Sequence, residues 1–310
     1  MELVNGRSVL FYLCKNLSPP TVWLPSYICS SLVEVLKFQG VDYQFYPVDL
    51  DLRVGNREWI QKIRRQDLVL FIDYFGFDLH RSAIPEAKLK GAWILQDAAQ
   101  GLLSNYGRPQ ADFVLYSPKK FIGVPDGGII QILSGSSLLH SSLNKPPRDF
   151  LLSAMNAFFA RSVFDQTGTG NWYQLYQESE KLNPIGFYGM SELSSALLRN
   201  AFNFPDVALQ RRQNYQALLN SLGDISLLGE LPPDTVPLGF PIVTEKRDAI
   251  RERLYANKIY CPLHWPLKGV VPDSFDQSHQ LNRRMLTLLC DQRCRPSDME
   301  RMVKIIKEFL

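Results

Sequence analysis

Two side chains of opposite charge, each at the end of an apolar stretch, offer the clearest chemistry in this sequence. Asp97 ends the run 92–97, and Lys119 and Lys120 follow the next run, 113–116. If these runs are neighbouring strands, the acid and a lysine can meet at one edge of the sheet. A lysine amine forms a Schiff base with pyridoxal phosphate, and a carboxylate keeps the pyridine nitrogen protonated so that the ring accepts electrons. The pair is therefore consistent with a pyridoxal phosphate site.

Each of these residues also has a purely structural interpretation. Asp97 could cap a helix that begins at Ala98, and the two lysines could be solvated loop residues. The residue types alone do not separate Lys119 from Lys120. In an extended segment successive side chains point to opposite faces, so only one of the two amines could reach a cofactor.

The hydrophobic pattern predicts the elements that position this pair. The run 68–72 is apolar on both faces, which suits a buried, largely parallel strand. Residues 128–133 follow Lys120 so closely that we expect them to return antiparallel, since a parallel crossover needs a dozen or more residues. Alternating strands and helices through about residue 135 predict an α/β fold, with a mostly parallel mixed sheet between helices. The other strands are predicted at 22–24, 43–48, 92–97 and 113–116.

The second half of the chain has a different pattern of predicted elements. Helical patterns dominate it, and a Pro-rich stretch at 231–233 precedes mixed strands and helices. We predict a large cofactor domain, residues 1–200, and a smaller C-terminal α/β domain, residues 201–310. Helices are predicted at 7–17, from Ser26 to 39–40, 58–65, 149–164, 190–222, 246–257 and 297–309. Two further strands are predicted at 238–243 and 259–260.

Composition and charge narrow the classes of function. The chain has 310 residues and a formal net charge of +3 without blocks of like charge, which does not suggest binding to nucleic acid or a membrane surface. No apolar run approaches the roughly 20 residues that cross a bilayer, and the first residues lack the pattern of a signal peptide. The five cysteines form no CxxC pair. We therefore expect reduced thiols, no metal site and a cytoplasmic protein.

The order of residues around Asp97 and Lys120 resembles the DegT/StrS family of sugar aminotransferases, which are fold-type I pyridoxal phosphate enzymes. The family pattern is a strand, Asp-x-x-(Gln/His), a strand, Ser, Lys, an acidic residue and Gly-Gly. Here it corresponds to Asp97, Gln100, Ser117, Lys120, Asp126, Gly127 and Gly128. The spacing from lysine to Gly-Gly favours Lys120 over Lys119. The resemblance continues over nearly the whole chain, through residues 5–8, 24–26, 190–193, 211–215 and 261–264.

The resemblance implies a role for each residue of the pattern. Lys120 would be the catalytic residue that forms the Schiff base. Asp97 would face the ring nitrogen, Gln100 the ring or its 3-hydroxyl, and Ser117 the phosphate. Cofactor contacts are also expected from the start of the first helix, where free N–H groups and the helix dipole favour an anion; the residues there are Gly6, Arg7 and Ser8.

Other site residues are less closely fixed by the pattern. Family members usually stack an aromatic residue on the ring four positions after the proline of the 24–26 motif. Cys29 has that position here and Tyr27 is the nearest aromatic residue, so either one is a cofactor contact. Tyr74, after a buried strand, and His264 are candidate substrate contacts.

The chain also departs from the family pattern in two places. The family's Asn and Arg before Met-Ser align with Phe187 and Gly189, which changes the expected phosphate contact across subunits. The segment before the first glycine motif, residues 1–5, is shorter than in the family. We expect the substrate side of the site and the dimer contacts to differ accordingly.

The sequence thus predicts an aminotransferase that moves an amino group from a small-molecule donor such as glutamate to a keto acceptor. The resemblance implies a nucleotide-linked keto-sugar and a homodimer with sites between subunits. Lys120 would act as general base and acid. Two alternatives are a sugar dehydratase of the same fold, in which histidine replaces the lysine, and a non-catalytic relative that binds or regulates.

Overall fold

The computed structural model of the protein describes residues 1–134 and 142–310 and is built around a seven-stranded sheet. Its order is β1-β7-β6-β5-β4-β2-β3, and β8 and β9 form a separate antiparallel pair. The strands are β1 (Glu2–Leu3), β2 (Val22–Pro25), β3 (Tyr43–Tyr46), β4 (Leu68–Ile72), β5 (Trp93–Asp97), β6 (Phe113–Tyr116), β7 (Gly128–Ile132), β8 (Phe240–Val243) and β9 (Met285–Leu288). Strands β2 to β6 are parallel, and β7 returns antiparallel to β6. Both the α/β class and the antiparallel return are confirmed.

Helices flank this sheet and make up most of the second half of the described chain. The helices are α1 (Gly6–Leu17), α2 (Ser30–Gln39), α3 (Ile84–Leu89), α4 (Arg148–Thr167), α5 (Trp172–Leu182), α6 (Glu192–Asn200), α7 (Phe204–Leu222), α8 (Arg247–Ala256), α9 (Asp276–Arg284) and α10 (Pro296–Lys307). Short 3-10 helices are formed by Glu58–Lys62, Tyr74–Gly76, Pro118–Lys120 and Gly223–Ile225. Among the helices of the described residues, none combines the length and apolarity needed to cross a bilayer.

The core lies on the two faces of the central sheet. All five residues of β4 are buried, as expected for a strand covered on both sides. Beside it the ring of Tyr46 stacks on Trp59, with centroids 4.2 Å apart, and the Tyr46 hydroxyl donates to the carbonyl of Leu70 at 2.7 Å. The buried phenol thereby satisfies its polar atom inside an apolar layer.

Several predicted helices begin or end elsewhere. Ser26 does not cap α2, because its hydroxyl accepts from the Val48 N–H at 3.0 Å and lies 2.7 Å from the Ser278 hydroxyl; α2 begins four residues later. The stretch predicted as a helix at 58–65 forms only a short 3-10 helix. No helix begins at Ala98, where the chain makes a turn instead.

The C-terminal half differs more from the prediction. The helix predicted at 190–222 is two helices, α6 and α7, and Pro205 stands in the first turn of α7, where its missing N–H costs nothing. The strand predicted at 259–260 is wrong, because the partner of β8 is β9, which follows α9. Helices α5 and α9 were not predicted. The domain division between residues 200 and 201 stays a prediction.

Candidate functional site

Three chain segments converge at the carboxyl edge of the central sheet. Asp97, the last residue of β5, pairs with Leu115 of β6, and the Ala98 N–H donates to the Leu115 carbonyl at 2.8 Å. The start of α1 lies against the same strands, because a Cβ on Gly6 would stand 3.4 Å from the Leu115 side chain. Gly128 of β7 approaches even more closely, and a Cβ there would fall 2.3 Å from the Asn5 carbonyl carbon. Asp97, the loop after β6 and the start of α1 are thus neighbours.

Asp97 is a buried carboxylate with one strong hydrogen bond. Its side chain is largely enclosed, and Oδ1 accepts from the Ala99 N–H at 2.9 Å. Burial raises the pKa of Asp97, and the charge of nearby Lys120 opposes that rise. A buried anion of this kind is stabilised by a cationic partner, and a protonated pyridine nitrogen would be one.

We expect Asp97→Asn to stabilise the cofactor-free protein at neutral pH. The pKa of Asp97 is raised by folding, so its contribution to stability is present at low pH and is lost as the carboxyl ionises. Asparagine keeps the acceptor for Ala99 and removes the buried charge. The melting temperature should rise by roughly 2–4 °C at pH 8 and by less at pH 5. A lower melting temperature at pH 8 would contradict this account.

The structure gives the two adjacent lysines different environments. They lie on a one-turn 3-10 helix rather than in an extended segment, so successive side chains still point in different directions. Lys119 is half-buried, and its Nζ donates to Glu180 Oε1 at 2.5 Å. Lys120 is exposed, and its charge acts on both Asp97 and His264. Lys120 is therefore the more exposed of the two amines, and its role in the predicted site stays a prediction.

Lys119 and Lys120 both line a pocket of about 840 Å³ that is large enough for a small-molecule substrate. Helices α4 and α5 line one side of it, and residues around His264 and Thr287 line another. The His264 Nδ1 lies 2.8 Å from the Thr287 hydroxyl. Burial, with a smaller effect of the Lys120 charge, lowers the pKa of His264 to about 3. His264 is therefore neutral at ordinary pH and can exchange hydrogen bonds with a bound molecule.

The start of α1 offers donors for an anion. Asn5 caps the helix by accepting from the Ser8 N–H at 2.7 Å. The Ser8 hydroxyl is fully buried and has no hydrogen-bond partner among the described residues. Arg7 Nη2 lies 3.9 Å from Glu180 Oε2, and Ser117, at the end of β6, is also buried. An unsatisfied buried hydroxyl beside a helix start fits a phosphate ligand.

Gln100 is held at the same edge by the short 3-10 helix that follows β4. Its Oε1 accepts from the Phe75 N–H at 2.6 Å, while Nε2 is buried without a partner in the described part of the chain. The loop after β5 is anchored by Arg108, whose Nη2 lies 2.8 Å from Asp73 Oδ2. Gln100 Nε2 is thus a second buried donor near Asp97 without a partner among the described residues, as expected if it donates to an oxygen of a bound ligand.

Tyr27 and Tyr74 are packed into the core rather than exposed to the pocket. Both are fully buried; the Tyr74 hydroxyl donates to the Tyr27 carbonyl at 2.5 Å, and the Tyr27 hydroxyl donates to the His264 carbonyl. The Tyr27 ring contacts Trp265, with centroids 5.9 Å apart. Cys29 is half-buried at the start of α2. Of the two predicted ring contacts, Cys29 is the more accessible.

The positions aligned with the family's Asn and Arg have roles within this chain. Phe187 packs edge-on against Phe11 of α1, with centroids 5.2 Å apart. The Gly189 N–H donates to the Asn144 carbonyl at 2.9 Å. At the start of α1 the Asn5 side chain instead donates to Asn183 Oδ1 at 2.5 Å and to the Pro184 carbonyl at 2.8 Å.

Two residues beside the site were not singled out from the sequence. Glu180 comes from α5, which the patterning did not predict, although Trp172, Tyr176 and Ser179 recur at helical spacing. Thr287 comes from β9, a four-residue strand whose pairing with β8 has no local sequence signal. Both residues reach the site through tertiary contacts.

Comparison with known proteins gives structural matches only. The sequence matches no protein-family profile and no curated protein. A DegT DnrJ EryC1 StrS aminotransferase from Brucella abortus has a TM-score of 0.67 and 17% identity, with 100% of this chain and 85% of that chain covered. The sugar aminotransferase CalS13 from Micromonospora echinospora gives 0.68 and 13%, covering 100% and 87%. Helicobacter pylori PseC, an aminotransferase involved in the biosynthesis of pseudoaminic acid, gives 0.69 and 14%, covering 99% and 85%. The chain therefore has the fold of the DegT/DnrJ/EryC1/StrS aminotransferases over its full length.

Proposed function

We propose that the protein is a pyridoxal phosphate-dependent aminotransferase. The observation that carries the proposal is the juxtaposition of buried Asp97 and exposed Lys120 at one sheet edge, beside the start of α1. Few other chemistries require a buried acid and a free amine at the two sides of one ligand site. The fold shared with aminotransferases supports the same assignment.

The residues of the site divide the chemistry between them. Bound pyridoxal phosphate would supply an electron sink for the bonds at the amino carbon of the substrate. Asp97 would hold a proton at the ring nitrogen, and the start of α1, with Ser8, would bind the phosphate. Lys120 would form the covalent link and then carry a proton between the substrate carbon and the cofactor's C4′ atom as base and acid.

We propose that the acceptor is a nucleotide-linked keto-sugar that enters the pocket lined by Lys120. CalS13 is titled a sugar aminotransferase, and PseC is an aminotransferase involved in the biosynthesis of pseudoaminic acid. The neutral imidazole of His264, held 2.8 Å from Thr287, is suited to exchange hydrogen bonds with sugar hydroxyls. Glutamate is the proposed amino donor.

We also propose a cytoplasmic homodimer. Helices α4 and α5 expose apolar and aromatic side chains, including Phe159, Val163 and Tyr173, each more than half exposed. Large apolar side chains exposed on two neighbouring helices are consistent with an interface. The cysteines are free thiols, in keeping with a reducing compartment.

The proposal is tested by following absorbance while cofactor and amino donor are added in turn. Purified protein should absorb violet light after pyridoxal phosphate is added, and an amino donor should bleach that band. Protein that stays colourless with added cofactor would refute the assignment. Protein that becomes coloured but responds to no donor in a panel of amino acids would instead be a binding or regulatory relative.

A further inference from the structure

Lys119 and Lys120 are adjacent, but only one lysine can form the Schiff base with pyridoxal phosphate. We propose that Glu180 of α5 selects Lys120 for covalent attachment by holding Lys119 in an ion pair. The inference rests on the proposed function and adds a positioning residue to it. No motif in the sequence marks Glu180, because α5 reaches the site through tertiary packing.

Lys119 is engaged on two sides. Its Nζ lies 2.5 Å from Glu180 Oε1 and 5.6 Å from the ring centroid of Tyr176, one turn earlier on α5. The Lys119 side chain is 22% exposed and that of Glu180 is 35% exposed, so water competes only partly for the pair. A charge-assisted hydrogen bond in such a place is stronger than one at a fully exposed surface.

Lys120 has the opposite environment. It is exposed at the pocket, and its amine makes no hydrogen bond or ion pair within residues 1–134 and 142–310. In the 3-10 helix that carries both lysines, successive side chains are about 120° apart. Lys119 therefore points toward α5, and Lys120 points toward the side of Asp97 and His264.

Glu180 is itself fixed as an anion. Burial would raise the pKa of Glu180, but the charge and hydrogen bond of Lys119, together with the charge of Arg7, hold that pKa below its usual value. Arg7 Nη2 lies 3.9 Å from Glu180 Oε2. The carboxylate thus stays charged and is paired both with Arg7, at the start of α1, and with Lys119.

The selected step is ordinary carbonyl chemistry. A neutral lysine amine adds its electron pair to the aldehyde carbon, and water leaves with the aldehyde oxygen and both amine protons as the C=N bond forms. The Lys119 amine donates to the Glu180 carboxylate, so it must break that hydrogen bond before it can react. Lys120 has no such partner to leave, so it reacts first.

The test is borohydride trapping of pyridoxal phosphate on the full-length protein, followed by peptide mapping. In the wild type the label should lie on Lys120. In Glu180→Gln the ratio of label on Lys119 to label on Lys120 should rise about tenfold, the effect of one charge-assisted hydrogen bond. The matched control is Glu178→Gln, which removes an exposed charge from the same helix and should leave the ratio unchanged.

A second comparison remains informative if Glu180→Gln perturbs α5. In Lys120→Ala little label should appear anywhere, whereas Lys120→Ala combined with Glu180→Ala should be labelled at Lys119. Label that stays on Lys120 alone in Glu180→Gln, together with no label on Lys119 in the double variant, would overturn the role of Glu180. That outcome would leave the proposed function intact, while absence of label in the wild type would contradict the proposed function itself.

Discussion

Lys120→Ala is expected to abolish the violet absorbance that pyridoxal phosphate gives with the wild-type protein, and with it any amino transfer. The variant removes an amine that is exposed at the pocket and whose charge acts on Asp97. Loss of a covalent nucleophile that also acts as acid and base lowers the rate by many orders of magnitude. Absorbance and amino-transfer assays on the same preparations give both readouts.

The matched control for this variant is Lys119→Ala. It changes the adjacent residue and removes an equal charge, but the lost amine belongs to the pair with Glu180. The violet absorbance should persist in this control. If Lys119→Ala were colourless and Lys120→Ala coloured, the assignment of the two lysines would be reversed.

Arg108→Met is expected to produce the largest loss of stability among single substitutions near the site. Arg108 and Asp73 form a buried ion pair, with side chains 7% and 1% exposed, and Gln96 donates to the other oxygen of Asp73 at 2.7 Å. Removing one member of a buried pair leaves an uncompensated charge, which costs about 3–5 kcal/mol. Urea unfolding at pH 8 measures the cost.

The cost should fall as the pH is lowered. Burial raises the pKa of Asp73 to about 6, with Arg108 opposing the rise. A carboxyl with a raised folded-state pKa favours folding below its unfolded pKa, and that contribution is lost as the pH rises through the folded value. At pH 5 the carboxyl is below this pKa and mostly neutral, so removing Arg108 leaves little buried charge behind and the variant should lose less stability there.

Arg81→Met is the control for this experiment. Arg81 also pairs with an aspartate, Asp78, at 2.7 Å, but its side chain is 72% exposed. Exposed pairs contribute about 0–1 kcal/mol. Equal effects of the two substitutions would show that the buried pair has no special role in holding the loop that carries Gln100.

The sequence was most informative where the residues of the site are close together in the chain. Asp97 and Lys120 lie at the ends of adjacent parallel strands, so the apolar runs and the turn between them were sufficient to bring them to one edge. The antiparallel return of β7 followed from loop length alone. These features depend on local patterning and on the geometry of neighbouring strands.

Features that depend on tertiary packing were missed or misplaced. Ser26 looked like a helix cap, but its hydroxyl contacts Ser278, which is 252 positions away in the chain. A strand was predicted at 259–260, but the strand that pairs with β8 is β9, which is short and follows both α8 and α9. Glu180 could not be placed, since nothing near it in the sequence indicates that α5 packs beside Lys119.

The contact of Gly128 with the backbone at Asn5 has a mechanical consequence. With no side chain between them, the strand that leaves the lysine loop and the helix that would hold the phosphate are separated by only one layer of atoms. The attachment points for the two ends of a cofactor are therefore parts of a single rigid frame. A side chain at position 128 would force the two apart and so change the distance between the lysine and the phosphate site.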